Sequence, residues 1–425
     1  MVEKRTPMQV EEAVSRVMKQ AVPGKTERVE LHQAHGRWLR EAIQADAPVP
    51  PFDRSPYDGF AVRAEDTTQA SKQEPVPLKV LETIGAGQVA EHGLDAGECI
   101  RIMTGAQMPA GADAVIMLEL VQETSLDTIT LQRPVQSCEN VVIKGEETKQ
   151  GDLLAEAGRP IHSGTAAALA SFGYGSPLVS VKQRVGVLAT GTELLEPHEE
   201  LQPGKIRNSN APMVCAQVKE AGAEPVYLGQ LPDDFDSCYE HIKSALHEVD
   251  VLITTGGVSV GDFDFLPAIY EKLGADVMFN KVAMRPGSVT TAAVRENQML
   301  FGLSGNPSAC FVGFELFAGP FLKACAGAEM PYLKREKAVL QTDFPKPNPF
   351  TRFVRSKTSM ADGRLQAAPA GLDKSQVVTS LVEADSLMML PGGTRGFHAG
   401  DQVDVLLLRG SGSAAFAQAV KERDT

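Results

Sequence analysis

The sequence lacks the cysteine patterns that hold a zinc ion or staple a small secreted domain. Its six cysteines are far apart, with no Cys-x-x-Cys pair and no zinc-ligand spacing; they are Cys99, Cys138, Cys215, Cys238, Cys310 and Cys325. Such cysteines are typical of reduced thiols in cytosol, where most are small buried apolar residues. We therefore expect a cytoplasmic protein.

Positive charge is scarce. The chain has 41 Lys and Arg residues against 54 Asp and Glu, which gives a formal net charge of -13 at pH 7. Nucleic acids and anionic membranes both require a basic face on their protein partner. Neither partner is expected, and an anionic substrate must meet a local basic pocket.

No uncharged run is uniform enough for a membrane helix. One long uncharged run extends from Asn297 to Phe314 and is interrupted by Gln298, Ser304, Asn306 and Pro307. A transmembrane helix needs about 20 predominantly apolar residues. We expect no membrane span.

Two enzyme motifs are also absent: GxxxxGK[ST] and HExxH do not occur. The segment 85–90 matches the loose GxGxxA pattern, but glycines follow it instead of a helix, so the dinucleotide-binding context is missing. The sequence gives no support to a P-loop enzyme or a zinc protease.

The composition is that of a globular protein, with 43% hydrophobic residues in 425 positions. This length predicts about three to four domains. The predicted domains are a mainly helical extended domain at 1–48 and 146–177, a β-rich domain at 49–145, an α/β domain at 178–328, a β-barrel at 329–411 and a tail at 412–425.

The pattern that separates these domains is the change in periodicity along the chain. Short β-type runs fill 60–144, strands alternate with helices between 184 and 326, and β runs return after 334 with a hairpin turn at Asp362-Gly363. Alternation of strands and helices predicts a mostly parallel sheet covered on both faces. In such sheets, ligands bind beyond the carboxyl ends of the strands.

Three predicted strands of the α/β domain end in glycine-rich polar loops, at 190–193, 254–264 and 302–307. Glycine allows backbone N–H groups to approach phosphate oxygens, and Glu193, Asp262 and Asp264 offer oxygen ligands for Mg²⁺. One such loop alone could equally be an ordinary turn. Three on one sheet edge favour a binding site.

Two further groups of residues are candidates for chemistry. Segment 51–60 concentrates carboxylates, an arginine and aromatic rings, and segment 101–106 ends another β run. Basic residues cluster at 205–207 and 281–285, after predicted strands or loops. The alternatives are a surface Asp-Gly turn and solvated charges.

The motifs PFDRSPYDGFAVR, RIMTGAQMPAGADAVIMLE, LATGTELL, GKIRNSN, TTGGVSVGDFDF and GLSGNPSA occur in this order. In sequence and order they resemble the signatures of the molybdopterin molybdenumtransferase (MoeA) family, over essentially the whole chain. The resemblance implies a four-domain, L-shaped subunit that forms a homodimer, with each site shared between the α/β domain of one subunit and the β domain of the other.

The resemblance also implies the reaction and its cofactor. Adenylylated molybdopterin and molybdate are the implied substrates, Mg²⁺ the helper ion, and AMP and molybdenum cofactor the products. The adenylyltransferase that makes the substrate and molybdoenzyme maturation factors are the implied candidate partners. Whether molybdate or tungstate is preferred, and which molybdoenzymes receive the cofactor, stays open.

Site residues follow from the matching positions. The implied catalytic residues are Asp58, Thr104, Glu193, Lys281 and Arg285. The implied cofactor-binding residues are Gly256, Gly257, Ser259, Gly261, Asp233, Ser304 and Asn306, with Arg355 and Ser380 as weaker matches in the barrel. The implied metal ligands are Glu193, Asp262 and Asp264.

The chain departs from the family pattern at several positions. Val142 stands for an arginine, Glu147 for an aspartate and Ser288 for a lysine, and Ser304 alters the Leu-Pro-Gly-Asn-Pro motif. Two cations are thereby lost from the expected anion pocket, and Lys144 is the candidate replacement for the first. The changes point either to altered molybdate affinity or to a paralogue of reduced activity.

Two other functions are alternatives to a molybdenumtransferase. The adenylyltransferase shares a similar α/β domain, but the β domain and barrel expected here speak against it. A scaffold protein is the other alternative, because eukaryotic relatives of this fold anchor receptors. It would show an added linker or partner domain.

Overall fold

The computed structural model describes residues 6–125, 127–231, 234–257, 266–347 and 349–408, and the elements below belong to these residues. The helices are α1 (Val10–Met18), α2 (Ser163–Ser171), α3 (Asn210–Glu220), α4 (Phe235–Ala245), α5 (Leu266–Lys272), α6 (Pro307–Gly313), α7 (Gly319–Cys325) and α8 (Thr379–Glu383). A π-helical turn, Phe314–Ala318, joins α6 to α7.

The strands are numbered in chain order. They are β1 (Thr26–Arg28), β2 (Ile43–Gln44), β3 (Gly59–Val62), β4 (Val76–Ile84), β5 (Glu98–Ile102), β6 (Ala114–Met117), β7 (Val121–Ser125), β8 (Thr128–Leu131), β9 (Leu153–Ala155), β10 (Leu178–Ser180), β11 (Arg184–Thr190), β12 (Leu194–Leu195), β13 (Ile206–Arg207), β14 (Glu224–Leu231), β15 (Val251–Thr255), β16 (Asp276–Phe279), β17 (Met284–Arg285), β18 (Thr291–Arg295), β19 (Gln298–Leu303), β20 (Lys334–Leu340), β21 (Thr351–Ala361), β22 (Arg364–Pro369), β23 (Ser386–Leu390) and β24 (Gln402–Leu407).

The chain forms two compact units. Unit 1 contains Met1–Arg40, Ala157–His162 and Leu178–Thr425, and unit 2 contains Glu41–Glu156 and Ser163–Pro177. The finer division into four domains and a tail stays a prediction.

Unit 2 is built around a six-stranded sheet in the order β6-β3-β5-β4-β8-β7. Only β4 and β5 pair in parallel. Alternate residues of its strands, such as Phe60 and Val62 on one face and Ala61 and Ile100 on the other, are buried in two separate apolar clusters. The predicted β-rich domain is therefore present. The run 140–144, predicted as a strand, instead makes one isolated bridge, in which Val142 pairs with Arg54.

Unit 1 contains the α/β domain, whose sheet has the order β14-β11-β15-β19-β18-β16. The first four strands are parallel, and β18 is antiparallel to both neighbours. The predicted mostly parallel sheet is therefore confirmed. Strand β18 was missed in the sequence, where residues 291–295 follow a glycine-containing loop without a helix before β19.

Both faces of this sheet are covered, as predicted. Along β15, Val251 and Ile253 join the apolar cluster of α1, α3, α6 and α7, while Leu252 joins the cluster of α4 and α5. Successive strand side chains point to opposite faces, so an uninterrupted apolar run fills both cores.

The C-terminal part of unit 1 closes into a barrel, because β21 pairs with both β22 and β23 in the circuit β21-β22-β20-β24-β23. The predicted hairpin turn at Asp362-Gly363 joins β21 to β22, with φ of 50° and 69° at its two residues. Strand β17 of the α/β domain lies parallel to β21.

Two expectations about local structure were wrong in part. Residues 1–48 are not mainly helical: after the nine residues of α1 the described chain forms a short 3₁₀ turn and the strands β1 and β2, which pair with β10 and β9. Partners more than 100 residues away override the local pattern. Four cysteines are buried as expected, but Cys215 is half-buried and Cys138 is exposed.

One described segment, Pro307–Cys325, has the length and composition of a membrane span, but 83% of its most apolar window is buried inside the protein. The helix lies in the core of unit 1, where it packs between the sheet and α1.

Candidate functional site

In unit 2, Asp58 and Thr104 lie together. Antiparallel pairing places Gly59, the first residue of β3, opposite Ile102, the last residue of β5. The residue before β3 therefore meets the residues after β5. One carboxylate oxygen of Asp58 accepts hydrogen bonds from the backbone N–H and the hydroxyl of Thr104, both at 2.7 Å.

These contacts set the charge of Asp58. The two hydrogen bonds from Thr104, with a smaller contribution from Arg101, hold the pKa of the Asp58 carboxyl below its usual value. The side chain is exposed to solvent. Asp58 is therefore an ionised carboxylate at neutral pH, with a second oxygen atom beside its hydrogen-bonded one.

Strand β3, which follows Asp58, lies unusually close to the backbone of β6. A Cβ atom at Gly59 would overlap the carbonyl oxygen of Ile116 on β6 and lie 3.0 Å from its carbonyl carbon. Only glycine allows this distance. The position of Asp58 thus depends on the packing of β3 between β5 and β6.

In unit 1, the three predicted polar loops meet at one edge of the sheet, because β11, β15 and β19 are adjacent. The hydroxyl of Thr190 donates to Thr255 O at 3.1 Å, and Gly256 N–H donates to Leu303 O at 2.9 Å. The structure thus brings the described parts of the loops together. Ser259, Gly261, Asp262 and Asp264, and also Asp233, lie outside the described residues.

Gly256 has a φ of 92°, and a Cβ there would lie 2.6 Å from Thr190 Oγ1. Gly305 is next to it, since a Cβ at Gly305 would be 3.5 Å from the Gly256 Cα. Side chains are therefore excluded at Gly256, and the backbone itself forms this surface, as a phosphate-binding loop requires.

Glu193 and Lys205 lie on the same two-stranded ribbon, β12-β13. Ile206 N–H donates to Glu193 O at 2.9 Å, and the Lys205 ammonium donates to Thr192 O. The exposed carboxylate of Glu193 lies over Gly191. The basic segment 205–207 is thus a neighbour of the first loop, as its place in the sequence suggested.

No group of three or more His, Cys, Asp or Glu residues able to hold a metal ion occurs among the described residues. Of the three predicted metal ligands, the structure describes only Glu193. The complete predicted ligand set therefore stays a prediction.

A cavity of about 380 Å³ lies in unit 1, where β17 pairs with β21 and Arg285 is opposite Arg352. The lining residues come from the α/β domain and from the barrel: Arg285, Pro286, Gly287, Ser288, Val289, Ser304, Asn306, Ala309, Arg352, Asp373, Lys374, Ser375 and Gln376. Three predicted site residues, Arg285, Ser304 and Asn306, are thus on one surface.

The one carboxylate on this surface is already neutralised. Asp373, whose side chain is 6% exposed, forms ion pairs with Arg352 at 2.8 Å, Lys346 at 3.2 Å and Arg355 at 3.5 Å. In contrast, Arg285 and Lys374 have no ion-pair partner in the part of the chain that the structure describes. The cavity therefore favours an anion.

Arg355 and Ser380 are buried behind this lining, at 2% and 3% exposed. Arg355 Nε donates to Ser380 Oγ at 3.1 Å, and Arg355 Nη2 donates to the carbonyls of Leu372 and Lys374. Burial lowers the pKa of the Arg355 guanidinium, while Asp373 opposes this shift. Their predicted contact with a cofactor stays a prediction, since neither lines the cavity.

Lys281 follows the edge strand β16, and its carbonyl accepts from Met8 N–H at 3.0 Å. It does not line the cavity that contains Arg285. The structure thus places the two predicted basic residues at the same end of the sheet but not on one surface.

The departures from the family pattern fall in two places. Ser288 and Ser304 line the cavity. Val142 pairs through its backbone with Arg54 in unit 2, where Lys144 N–H donates to Asp53 at 2.7 Å, and Glu147 N–H donates to Val49 O. Lys144 thus lies in the same unit as Val142, and its replacement of the lost arginine stays a prediction.

Sequence reasoning missed several residues near the site. Asn210 is buried, donates to Gly305 O at 2.8 Å and has an Oδ1 atom with no hydrogen-bond donor among the described residues. Asn210 is the last residue of the motif GKIRNSN, in which only the basic residues were predicted as candidates. Asp373 and Lys374 had no signal, because no pattern in the barrel links them to the α/β domain.

Comparison with known proteins agrees with this geometry. Family models match residues 8–173 (MoeA N-terminal region, domain I and II), 186–324 (probable molybdopterin binding domain) and 337–408 (MoeA C-terminal region, domain IV). The molybdopterin molybdenumtransferase of Bacillus subtilis (strain 168) is 54% identical over 428 residues, covering 100% of both chains. The chain belongs to the MoeA family.

Other MoeA relatives support the same conclusion. The molybdopterin molybdenumtransferase of Staphylococcus epidermidis (strain ATCC 12228 / FDA PCI 1200) is 48% identical over 96% of this chain and 97% of its own. The crystal structure of the molybdopterin biosynthesis moeA protein from Pyrococcus horikoshii OT3 has a TM-score of 0.79 at 32% identity, covering 95% of this chain and 100% of that one. The predicted family, fold class and transferase class are confirmed.

The family models that match outside the α/β domain distinguish a molybdenumtransferase from an adenylyltransferase. The MoeA N-terminal and C-terminal models cover the β domain and the barrel. These are the regions that speak against an adenylyltransferase.

Proposed function

We propose that the chain inserts molybdenum into molybdopterin during molybdenum cofactor synthesis. Molybdate and adenylylated molybdopterin are the substrates, and cleavage of the pyrophosphate link releases AMP and molybdenum cofactor. The observation that carries this proposal is the cavity in which Arg285 and Lys374 have no carboxylate partner among the described residues, next to the glycine-rich edge of the α/β sheet.

The cavity suits molybdate, a tetrahedral dianion. Arg285 and Lys374 supply positive charge, and Ser288, Ser304 and Ser375 supply hydroxyl donors. Hydrogen bonds from charged donors to an anion are about twice as strong as neutral ones. The cavity therefore provides the local basic pocket that the acidic chain needs for an anionic substrate.

The glycine-rich edge suits the pterin phosphate. At Gly256 and Gly305 the backbone is free of side chains, and Asn210 fixes the Gly305 carbonyl. Cleavage of a phosphoanhydride needs positioning and charge neutralisation more than a covalent nucleophile. Backbone donors and fixed cations are sufficient for this.

Glu193 is the described candidate ligand for Mg²⁺, with Asp262 and Asp264 proposed beside it. Mg²⁺ prefers one or two carboxylates together with substrate phosphates, and the exposed Glu193 carboxylate fits this donor set. The ion would supply charge neutralisation at the phosphate oxygens. Glu193 would hold the ion at this loop.

Asp58 is proposed as the carboxylate that positions or deprotonates the attacking oxygen. Its ionised state at neutral pH and the second oxygen atom of its exposed carboxylate support this role. We further propose a cytoplasmic homodimer in which Asp58 and Thr104 of one protomer act with Arg285 of its partner, and the adenylyltransferase as the upstream partner enzyme.

The proposed activity is tested with purified protein, adenylylated molybdopterin, Mg²⁺ and molybdate. Wild-type protein should release AMP only when molybdate is added, and Glu193→Gln should abolish release. Glu271→Gln, an exposed acid on α5, is the matched control and should release AMP at the wild-type rate. Absence of molybdate-dependent AMP release from wild-type protein would refute the proposal.

The shared site is tested by mixing two inactive variants, Asp58→Asn and Arg285→Gln. If the two residues act across a dimer, mixed dimers contain one intact site, and exchange of subunits should restore AMP release. A mixture that stays inactive although sedimentation shows mixed dimers would mean that each chain uses its own Asp58.

A further inference from the structure

The barrel contributes to the cavity through Arg352 on β21 and through one longer segment, 372–378, which we call the 372–378 loop. It joins β22 to α8 and supplies four lining residues, 373–376. The opposite side of the cavity, 285–289 with Ser304 and Asn306, belongs to the α/β domain. The loop therefore supplies most of the barrel residues that face the proposed molybdate.

Buried donors hold the backbone of this loop from both sides. Within the barrel, Arg355 donates to the carbonyls of Leu372 at 3.1 Å and Lys374 at 3.2 Å. From α6, Ser308 donates its N–H to Ser375 O at 3.0 Å and its hydroxyl to Val377 O at 2.5 Å. Because Arg355 and Ser308 are 2% and 0% exposed, these bonds are shielded from water.

Neighbouring residues of the loop have opposite environments. Asp373 is 6% exposed and is paired with three cations, whereas Lys374 is exposed and lines the cavity. Arg352, the remaining cation of the lining, is occupied by Asp373 at 2.8 Å. The cavity therefore has two cations without a carboxylate partner among the described residues, Arg285 on one side and Lys374 on the other.

Two such charges match a dianion better than a monoanion of the same shape. Each additional charge–charge contact near a protein surface is favourable, and its strength scales with the charge of the ligand. Ser288, by contrast, offers the cavity a hydroxyl without charge. The second charge must therefore come from the barrel.

We propose that Lys374 determines the preference of this chain for a dianionic oxyanion, and that Arg355 and Ser380 are positioning residues that act through the Lys374 backbone. This inference rests on the proposed function for the identity of the oxyanion. It gives Arg355 and Ser380 a role that does not require them to touch the substrate.

The first experiment measures molybdate binding to the full-length protein by equilibrium dialysis. Lys374→Gln should weaken molybdate binding about tenfold, and Lys374→Arg should restore most of the affinity, because one charge-assisted contact is lost and then replaced. Lys337→Gln is the matched control. Lys337 is an exposed barrel lysine that pairs with Asp404 and does not line the cavity.

The second experiment uses perrhenate, a tetrahedral monoanion, as a competitor. Wild-type protein should bind molybdate more tightly than perrhenate, and Lys374→Gln should reduce this ratio, whereas a merely structural role would weaken both anions equally. Ser380→Ala should weaken molybdate binding, but Ser380→Ala combined with Lys374→Gln should bind no more weakly than Lys374→Gln alone.

The outcomes separate the two proposals. If wild-type protein binds molybdate in a Lys374-dependent way but releases no AMP, the proposed function fails and the role of Lys374 stands. If wild-type protein releases AMP while Lys374→Gln keeps both the molybdate affinity and the molybdate-to-perrhenate ratio, the inference about Lys374 is overturned. Wild-type protein that binds neither anion overturns it as well.

Discussion

Unit 1 and unit 2 each contain one charged centre, and the two differ in how their charges are satisfied. In unit 2 the Asp58 carboxylate receives both hydrogen bonds from a single residue, Thr104. In unit 1, Arg285 and Lys374 lie on the cavity surface with no carboxylate partner in the described chain. A carboxylate whose hydrogen bonds come from its own unit suits a catalytic group. Cations without a carboxylate partner among the described residues suit an anion-binding site.

The difference also predicts opposite responses to solution conditions. The pKa of Asp58 is lowered in the folded protein, so its contribution to stability is present above the usual value for a carboxyl group. That contribution is lost as the pH falls through the folded value. The cation cavity should respond to competing anions and to salt, because both screen or occupy it.

The largest expected effect is the loss of AMP release when the Asp58 carboxylate is removed. Asp58→Asn should lower AMP release by on the order of 10²–10⁴, the usual contribution of a positioned acid–base group. Binding of molybdate should be unchanged, because the cavity belongs to unit 1. A variant that loses molybdate binding to the same extent as AMP release would show that the two centres are not separable.

The second effect concerns the strand that positions Asp58. Gly59→Ala should lower the free energy of unfolding of unit 2 by about 2–3 kcal/mol, because the added Cβ overlaps a backbone carbonyl that cannot move aside. Gly175→Ala is the control in the same unit, since a Cβ there meets no atom within 4 Å. Urea unfolding would measure both, and equal stability of the two variants would contradict the close approach.

The third effect concerns anion binding in the cavity that contains Arg285 and Lys374. Arg285→Gln should weaken molybdate binding roughly 20-fold, because it removes one of two uncompensated charges. Arg295→Gln, in the β18–β19 hairpin outside this cavity, serves as the control. Measured by equilibrium dialysis, an unchanged affinity for Arg285→Gln would place the anion elsewhere.

The smallest expected effect is a shift in pH dependence. Thr104→Val keeps the backbone donor to Asp58 but removes the hydroxyl, so the pKa of the carboxyl should rise toward its usual value. The acid limb of the pH–rate profile should then move to higher pH. Thr68→Val, which removes an exposed hydroxyl bond to Glu65 in the same unit, should leave the profile in place.

The parts of the fold found from the sequence are those with a strong local pattern. The run at 251–255 was predicted as a buried strand because every residue is apolar or small, and all five are buried. Strand β18 was missed because its partner β19 decides its conformation, and residues 1–48 were predicted as too helical because β1 and β2 have distant partners.

The site shows the same division. Asp58, Thr104, Arg285 and the polar strand ends were predicted from motifs, since these motifs contain the residue types that the proposed reaction requires. The burial of Arg355 and Ser380, and the place of Lys374 on the cavity, could not be predicted. They depend on which barrel strand lies beside β17 and on which residues of the 372–378 loop turn inward.

The sequence alone determined the family, the strands with a strong apolar pattern, and the residue types proposed to bind phosphate and oxyanion, because short motifs and periodicity record these directly. Only the tertiary structure decided which charges neutralise one another. The Thr104 donors reach Asp58 through the β3–β5 register, and Asp373 pairs with three cations, of which Arg352 lines the cavity, while Lys374 stays available. Electrostatic partnership depends on distances of a few ångströms between residues that are far apart in the chain, and those distances are set by packing.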